Sequence, residues 1–276
     1  AQTVTVTGVD DSAIDGNQTT TITMTVNDAG SDDAYDSVAD QTLSATTTDD
    51  DSPGYTVAAS GGSTTVTEAG STDSFTVVLN AQPSSDVVID VSSSDTGEAS
   101  ISPTSLTFTN SNWDTAQTVT VTGVDDSAID GNQATTITVS VNDAGSDDAY
   151  DSVADQTLSV TTTDDDSPGV TLSKTSTTVT EAGSTDSFTV VLNAQPSSDV
   201  VIDVSSGDTG EATVSPSSLT FTSSDWNTAQ PVTVTGEDDD DDDGNQTTTI
   251  TVSVNDASSD DDYDAISDSS LSVTTE

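Results

Sequence analysis

Apolar and hydroxyl-bearing residues alternate along this chain in short runs. Val119 and Val121 are interleaved with Thr118, Thr120 and Thr122, and Ile137, Val139 and Val141 with Thr136, Thr138 and Ser140. Period-two alternation over so few residues predicts strands with one buried and one solvated face, and Thr and Ser suit the wet side of a pleat. Between Gly54 and Asp166 seven such runs are legible. Val57 and Val66 mark the first, with a break at Gly61-Gly62; Phe75, Val77 and Leu79 mark the second, and Val87, Ile89 and Val91 the third. Ile101, Leu106 and Phe108 flank a turn at Pro103, and Val119, Ile137 and Leu158 open the last three runs. Seven strands in about 110 residues predict an immunoglobulin-like antiparallel β-sandwich. Phe75, Leu79, Ile89, Phe108, Trp113, Val121 and Ile137 are expected to be buried, Trp113 as the plug at the open end of the core, as Trp226 is further along.

The pattern recurs. "AQTVTVTGVDDSAIDGNQ" begins at Ala1 and again at Ala116, and "AQPVTVTGEDDDDDDGNQ" begins at Ala229. The offsets are 115 residues (116 − 1) and 113 residues (229 − 116). "VTEAGSTDSFTVVLNAQPSSDVVIDVSS" begins at Val66 and again at Val179. The expected organisation is a tandem: a back half-repeat over residues 1–51, a complete repeat over 54–166, and a nearly complete one over 169–276 that stops short of a terminal Asp triplet. Residues 1–51 should have three strands and should not form a domain alone. Their core would be covered by a front half from preceding chain or from a neighbouring molecule. Tandem, near-identical units argue for reach and repetition.

Charge changes this picture. The 276 residues carry a formal charge of −49, with Lys174 the one basic residue and no His or Cys. Such acidity with 4% aromatic residues is common in disordered chains, but the ordered alternation argues against disorder. Disulfides are excluded, and a single lysine leaves almost no room for Lys–Asn isopeptide cross-links. A polyanion such as nucleic acid would be repelled. No run approaches the length of about 18 apolar residues that a membrane-spanning helix needs. No signal-peptide pattern precedes the first strand-like stretch, so the sequence reads as a mature or internal segment.

The carboxylates are not spread over outward strand positions, as a halophile's solvated surface would have them. They gather in predicted loops: Asp125, Asp126 and Asp130; Asp147, Asp148 and Asp151; Asp164, Asp165 and Asp166. "ATTTDDDSPG" and "VTTTDDDSPG" each place three aspartates where a Thr-rich strand ends. Converging carboxylates repel, and a divalent cation reverses that sign. Dense, irregular Asp clusters suit calcium, which accepts 6–8 oxygens in loose geometry, better than magnesium with its strict octahedron. Zinc is disfavoured without His or Cys. Halophilic solvation remains an account of the surplus, such as the Asp238–Asp243 run.

The order "VTEAG", "SFTVVLN", "VSSSDTGEASISPTSLTF", "QTVTVTGVDDSAIDGNQ" and "TLSVTTTDDD" resembles a Calx-beta repeat, above all those strung through large bacterial surface proteins. The family comprises calcium-binding sandwiches, also found in sodium–calcium exchangers. The resemblance implies calcium ligands at Glu68 and Glu181 on the first strand, and at Asp95 and Asp208 in the middle loop. It implies Asp125 and Asp126, with Asp238 and Asp239, after the fifth strand, and Asp164, Asp165 and Asp166 at the end of the last. In the half-repeat the matching residues are Asp10, Asp11, Asp49, Asp50 and Asp51. Where the exchanger pattern has further glutamates, this chain has Asp130, Gly131 and Asn132, with Asp15 and Asp243 matching Asp130. Fewer long carboxylates imply fewer ions or weaker binding.

The resulting expectation is a structural segment of an extracellular stalk, filament or cell-surface adhesin, rigidified by calcium and partnered by neighbouring repeats or identical subunits. The alternative is an adhesive module whose Thr rows or loops contact a carbohydrate, ice or a protein. An enzyme is disfavoured, because His, Cys and Arg are absent. The sequons Asn17-Gln18-Thr19 and Asn245-Gln246-Thr247 permit glycosylation.

Overall fold

The computed structural model describes residues 1–238 and 244–276. The described residues contain β-strands and short 3-10 turns and no α-helix. The half-repeat carries β1 (Gln18–Met24) and β2 (Gln41–Thr47), an antiparallel pair with Gln18 opposite Thr47. The first complete repeat carries β3 (Tyr55–Ala59), β4 (Thr64–Thr67), β5 (Thr72–Leu79), β6 (Val87–Ser93), β7 (Ala99–Ser102), β8 (Ser105–Phe108), β9 (Gln117–Gly123), β10 (Gln133–Val141) and β11 (Gln156–Thr163). The second carries β12 (Val170–Leu172), β13 (Ser176–Val179), β14 (Thr185–Leu192), β15 (Val200–Ser206), β16 (Ala212–Ser215), β17 (Ser218–Phe221), β18 (Gln230–Gly236), β19 (Gln246–Val254) and β20 (Ser269–Thr275).

Each complete repeat is a two-sheet sandwich. One sheet of the first has the order β3-β5-β9-β7 and the other β4-β11-β10-β6-β8; the second repeat has β12-β14-β18-β16 and β13-β20-β19-β15-β17. The seven runs become nine strands because two of them divide. The first run breaks at Gly61 and Gly62, whose φ values of 69° and 85° suit glycine and few other residues. Beyond that break the chain leaves the sheet of β5 and joins the sheet of β11. In the second repeat the crossing strand β13 runs parallel to β20, with Ser176 opposite Ser272, so one pair departs from the antiparallel expectation. The run around Pro103 divides likewise: β7 pairs with β9 and β8 with β6, in different sheets. Strands that switch sheets close the corners of such sandwiches.

The alternation places the core as expected with one exception: Phe75, Leu79, Ile89, Phe108, Val121 and Ile137 are buried, whereas Trp113, expected to be buried, is half-buried and packs against them. Phe188, Ile202, Phe221 and Ile250 are their counterparts in the second sandwich, with Trp226 at its edge. Tyr150 and Tyr263 are fully buried near the strand ends, and their hydroxyls donate to the Ala81 and Ala194 carbonyls at 2.6 Å.

Residues 1–51 have two strands rather than three. The stretch 2–8, equivalent to β9, is not a strand. In the complete repeat β9 lies between β5 and β7, and no counterparts of those neighbours occur in residues 1–51, so the ladder that would hold it is missing.

By contact the chain forms two compact units. The first contains residues 1–66, 70–124 and 134–162, and the second contains 67–69, 125–133 and 163–276. Within the first, Ser12 and Ile14 of the half-repeat bond to Gln82: the Gln82 amide donates to the Ser12 carbonyl at 2.7 Å, and the Ile14 amide donates to the Gln82 carbonyl at 3.4 Å. Ile14 packs against the core of that sandwich. The same joint recurs within the second unit, where the Gln195 amide donates to Ser127 at 2.6 Å and the Ile129 amide donates to Gln195 at 3.4 Å. Ile129 packs against the second core.

Candidate metal centre

Strand endings position the carboxylates. β4 stops at Thr67, and the next residue, Glu68, is fully buried. Its amide donates to the carbonyl of Thr163, the last residue of β11, at 3.1 Å. The Asp164–Asp166 triplet follows immediately. Carboxylate oxygens of Glu68, Asp164 and Asp166 lie within 4.8 Å of one another, and an oxygen of Asp126 lies within the same distance of one of Glu68.

Backbone groups hold the aspartates in place. Asp164 accepts from the amides of Gly131 and Asp166, both at 2.8 Å, and its own amide donates to Asn132 Oδ1 at 3.3 Å. Asp126 accepts from the Ala128 amide at 2.7 Å. Gly131 has φ 72° and Gly16 has φ 68°, a region that favours glycine. The Asp-Gly-Asn sequence is therefore the turn that aims an amide at the end of the last strand.

Carboxylates this close disfavour ionisation. Burial pushes the Asp166 carboxyl above its ordinary range, and Asp164, Asp165, Asp125 and Asp126 push it further. Asp166 Oδ2 is buried without a hydrogen-bond partner. Lys174, the sole basic side chain, cannot serve there, because its Nζ is 2.6 Å from Asp186. A buried carboxylate that lacks such a partner calls for a cation. The donors are all oxygens, which fits calcium. Glu68, Asp164 and Asp166, with Asp126 adjacent, would hold it, and it would supply a positive charge at this point.

The other expected ligands fall in three groups. Asp125, Asp130 and Asp165 are exposed on the same two loops. Asp95 lies in a turn and accepts from the Gly97 amide at 2.9 Å; Asp208 does the same with Gly210 at 2.9 Å. In the half-repeat, Asp10, Asp11, Asp15, Asp49, Asp50 and Asp51 line one groove. Its bonds repeat those above, with Asp49 accepting from the amides of Gly16 at 2.6 Å and Asp51 at 2.9 Å. Burial raises the Asp51 carboxyl, followed by Asp49, Asp50, Asp10 and Asp11.

In the second repeat Glu181 is half-buried, and its amide donates to the Glu276 carbonyl at 3.1 Å. Asp238 is exposed, and Asp239 and Asp243 lie outside the described residues. Among the described residues no acidic trio forms in this repeat.

One role is not legible in the sequence: Asp147 is a structural cap. It accepts from the Ser84 amide and hydroxyl at 2.7 Å each, from the Ser85 amide at 2.9 Å and from the Ala149 amide at 3.0 Å. Although burial pushes its carboxyl up, bonds from Ser84, Ala149 and Ser85 carry it below the usual range. Asp260 repeats the arrangement with Ser197 and Ser198.

No protein-family model and no curated protein matches the chain. Among solved structures, the calcium-binding domain CBD12 of CALX1.1 matches at 13% identity and a TM-score of 0.32, over 71% of this chain and 79% of the other. CBD12 from CALX1.2 matches at 16% identity and a TM-score of 0.29, with the same coverage. Domains 4 and 5 of the S-layer protein SbsC match at 16% identity and a TM-score of 0.30, over 68% of this chain and 75% of theirs. The first two are Calx calcium-binding domains, the family whose motif order the sequence resembles. The strand pairing of the chain itself carries the fold: an all-β tandem of two-sheet sandwiches similar to Calx-beta repeats.

Proposed function

We propose that this chain is a structural segment of a long extracellular repeat protein, a stalk, filament or cell-surface adhesin, stiffened by calcium. One observation carries the reading: a single loop serves two purposes. Residues 125–133 bring Asp126 towards Glu68 and aim the Gly131 amide at Asp164, while Ser127 and Ile129 of the same loop bond to Gln195. An ion that fixes this loop also fixes the attachment of the next repeat. Without disulfides, such ions are the available cross-links. Small-angle scattering and calorimetry of residues 1–276, with calcium and with chelator, test this. Calcium should raise both the melting temperature and the maximum dimension; two unchanged values return the aspartates to plain solvation.

A second reading, adhesion, is favoured by the outward strand faces. Thr76 stands opposite Thr118 and Ser74 opposite Thr120, an uncharged hydroxyl array in a chain of charge −49. A glycan array with residues 1–276 separates the two readings.

A further inference from the structure

One pair of residues in the acidic loop carries chemistry of its own. Asp-Gly occurs at 15–16, 130–131 and 243–244 and nowhere else in the chain. An aspartate followed by glycine can close on itself, because no Cβ on the next residue crowds the attack of its amide nitrogen on the side-chain carboxyl. Asp130 and Gly131 are both exposed, and beyond its chain neighbours nothing lies within 4 Å of where a Cβ on Gly131 would stand. The resulting ring, and the water that opens it, have room.

The pair sits between two anchors. Before it, the Ile129 amide donates to the Gln195 carbonyl at 3.4 Å, and the Ile129 side chain packs against the second core. After it, the Gly131 amide donates to Asp164 Oδ2 at 2.8 Å, across 33 positions of sequence. Asp164 Oδ1 accepts from the Asp166 amide at 2.8 Å, so the acceptor is itself held. The nitrogen that must turn towards Asp130 Cγ is thus aimed elsewhere, and turning it breaks the bond to Asp164. Asp15 and Gly16 repeat the arrangement: the Gly16 amide donates to Asp49 Oδ2 at 2.6 Å, and the Ile14 amide to the Gln82 carbonyl at 3.4 Å.

We propose that Asp130–Gly131 is a self-modification site that converts to isoaspartate, and that the bond from Gly131 to Asp164 is the latch that sets its rate. The Gly131 nitrogen bonds to Asp130 Cγ. The Cγ–OH bond breaks, and the hydroxyl leaves as water with the amide proton. Water then adds to the ring at the Asp130 backbone carbonyl and breaks that carbon's bond to nitrogen. The chain now runs through the side chain, and the former backbone carbonyl is the free carboxyl. One water leaves and one enters, nothing is oxidised, and no other reactant is needed. The product has one more backbone atom between the two anchors. It cannot hold both in register, so Ile129 or Gly131 lets go. Local opening of the loop admits the reaction, and the product keeps the loop open. The proposal stands whether or not an ion binds beside it.

The test ages residues 1–276 in chelator and in water enriched in oxygen-18. Peptic peptides are then mapped by mass spectrometry with electron-based fragmentation, which tells isoaspartate from aspartate. Label and isoaspartate should enter at Asp130 and Asp15. Entry in the native protein should be at least about tenfold slower than in the same protein in urea, since a hydrogen bond to a charged carboxylate is worth that much. Asp164→Ala should remove the delay at Asp130 and leave Asp15 unchanged. If both sites speed up together the variant has unfolded, and the comparison of native with urea-treated wild type decides. In the aged protein the Gln195 or Gly131 amide should lose its protection from hydrogen exchange. No label at Asp130 in either state overturns the site. Equal rates in native and urea-treated protein, or a folded Asp164→Ala as slow as wild type, overturn the latch. Isomerised protein that keeps both amides protected overturns the release of the loop.

Discussion

Glu68→Gln should have opposite effects with and without calcium. Glu68, Asp164 and Asp166 place carboxylate oxygens within 4.8 Å of one another. Two unit charges at that separation repel by about 1 kcal/mol in water and about 3.5 kcal/mol at an effective dielectric of 20. Three pairs therefore cost roughly 3–10 kcal/mol if all ionise. Protonation limits the cost: holding one carboxyl neutral at pH 7 against an ordinary pKa near 4 takes about 4 kcal/mol. In chelator, a neutral amide at position 68 removes two of the three repulsions and can donate to Asp164 or Asp166. After about 1–3 kcal/mol for burying it imperfectly, a net gain of about 1–3 kcal/mol is expected, and the melting temperature should rise by several degrees.

On the proposed reading, the same variant loses a ligand in calcium. It forfeits part of a stabilisation of about 2.7 kcal/mol per ion at 100 times the dissociation constant. The wild-type calcium increment should also shrink from pH 7 to about pH 5. A carboxyl such as Asp166, raised in the folded state, stabilises the metal-free fold in its protonated form, and that contribution is lost as pH rises through its folded pKa. Calorimetry of wild type and variant in calcium and in chelator, at both pH values, checks this. A variant that shifts the same way in both media, or keeps the full calcium increment, refutes the reasoning.

Asp147→Ala should cost the first sandwich about 2–4 kcal/mol whether or not calcium is present, because the Ser84, Ser85 and Ala149 amides lose their acceptor; denaturant unfolding in both media checks it. The lowered Asp147 carboxyl contributes stability above the usual carboxylate pKa and loses it as pH falls through its folded value, which acid titration of wild type against the variant reads. Tyr150 and Tyr263, pushed up to about 12 by burial, contribute stability that is complete below pH 10 and lost as pH rises through 12, so their phenolate absorbance should appear together with unfolding. Ile129→Ala should destabilise the second sandwich by about 1–2 kcal/mol although Ile129 belongs to the preceding repeat in sequence, and hydrogen exchange resolved by repeat should show it.

The sandwich cores were legible because strand periodicity is local: each Val-Thr or Ile-Thr alternation states which face is wet. The division of the first and fourth runs was marked by Gly61-Gly62 and Pro103, but the change of sheet at each mark depends on the partner strand across the gap. The acid clusters were legible as clusters. What was not legible is that Asp147 leaves the metal question by accepting amides from residues 62 and 63 positions away. Ile14 and Ile129 read as loop residues, since nothing local shows that the next repeat will cover them.

The Ser127–Ile129 joint gives the array a polarity. Each acidic loop reaches towards the C-terminus, and its isoleucine packs against the core of the following sandwich. In a one-dimensional array with nearest-neighbour coupling, loss of one repeat then weakens the repeat after it more than the repeat before it. A pulling force on an array coupled in this way should release its units in order, with failure travelling towards the C-terminus. A repeat cut out at Ser-Pro-Gly should be less stable than the same repeat in the chain, because it leaves its predecessor's isoleucine behind.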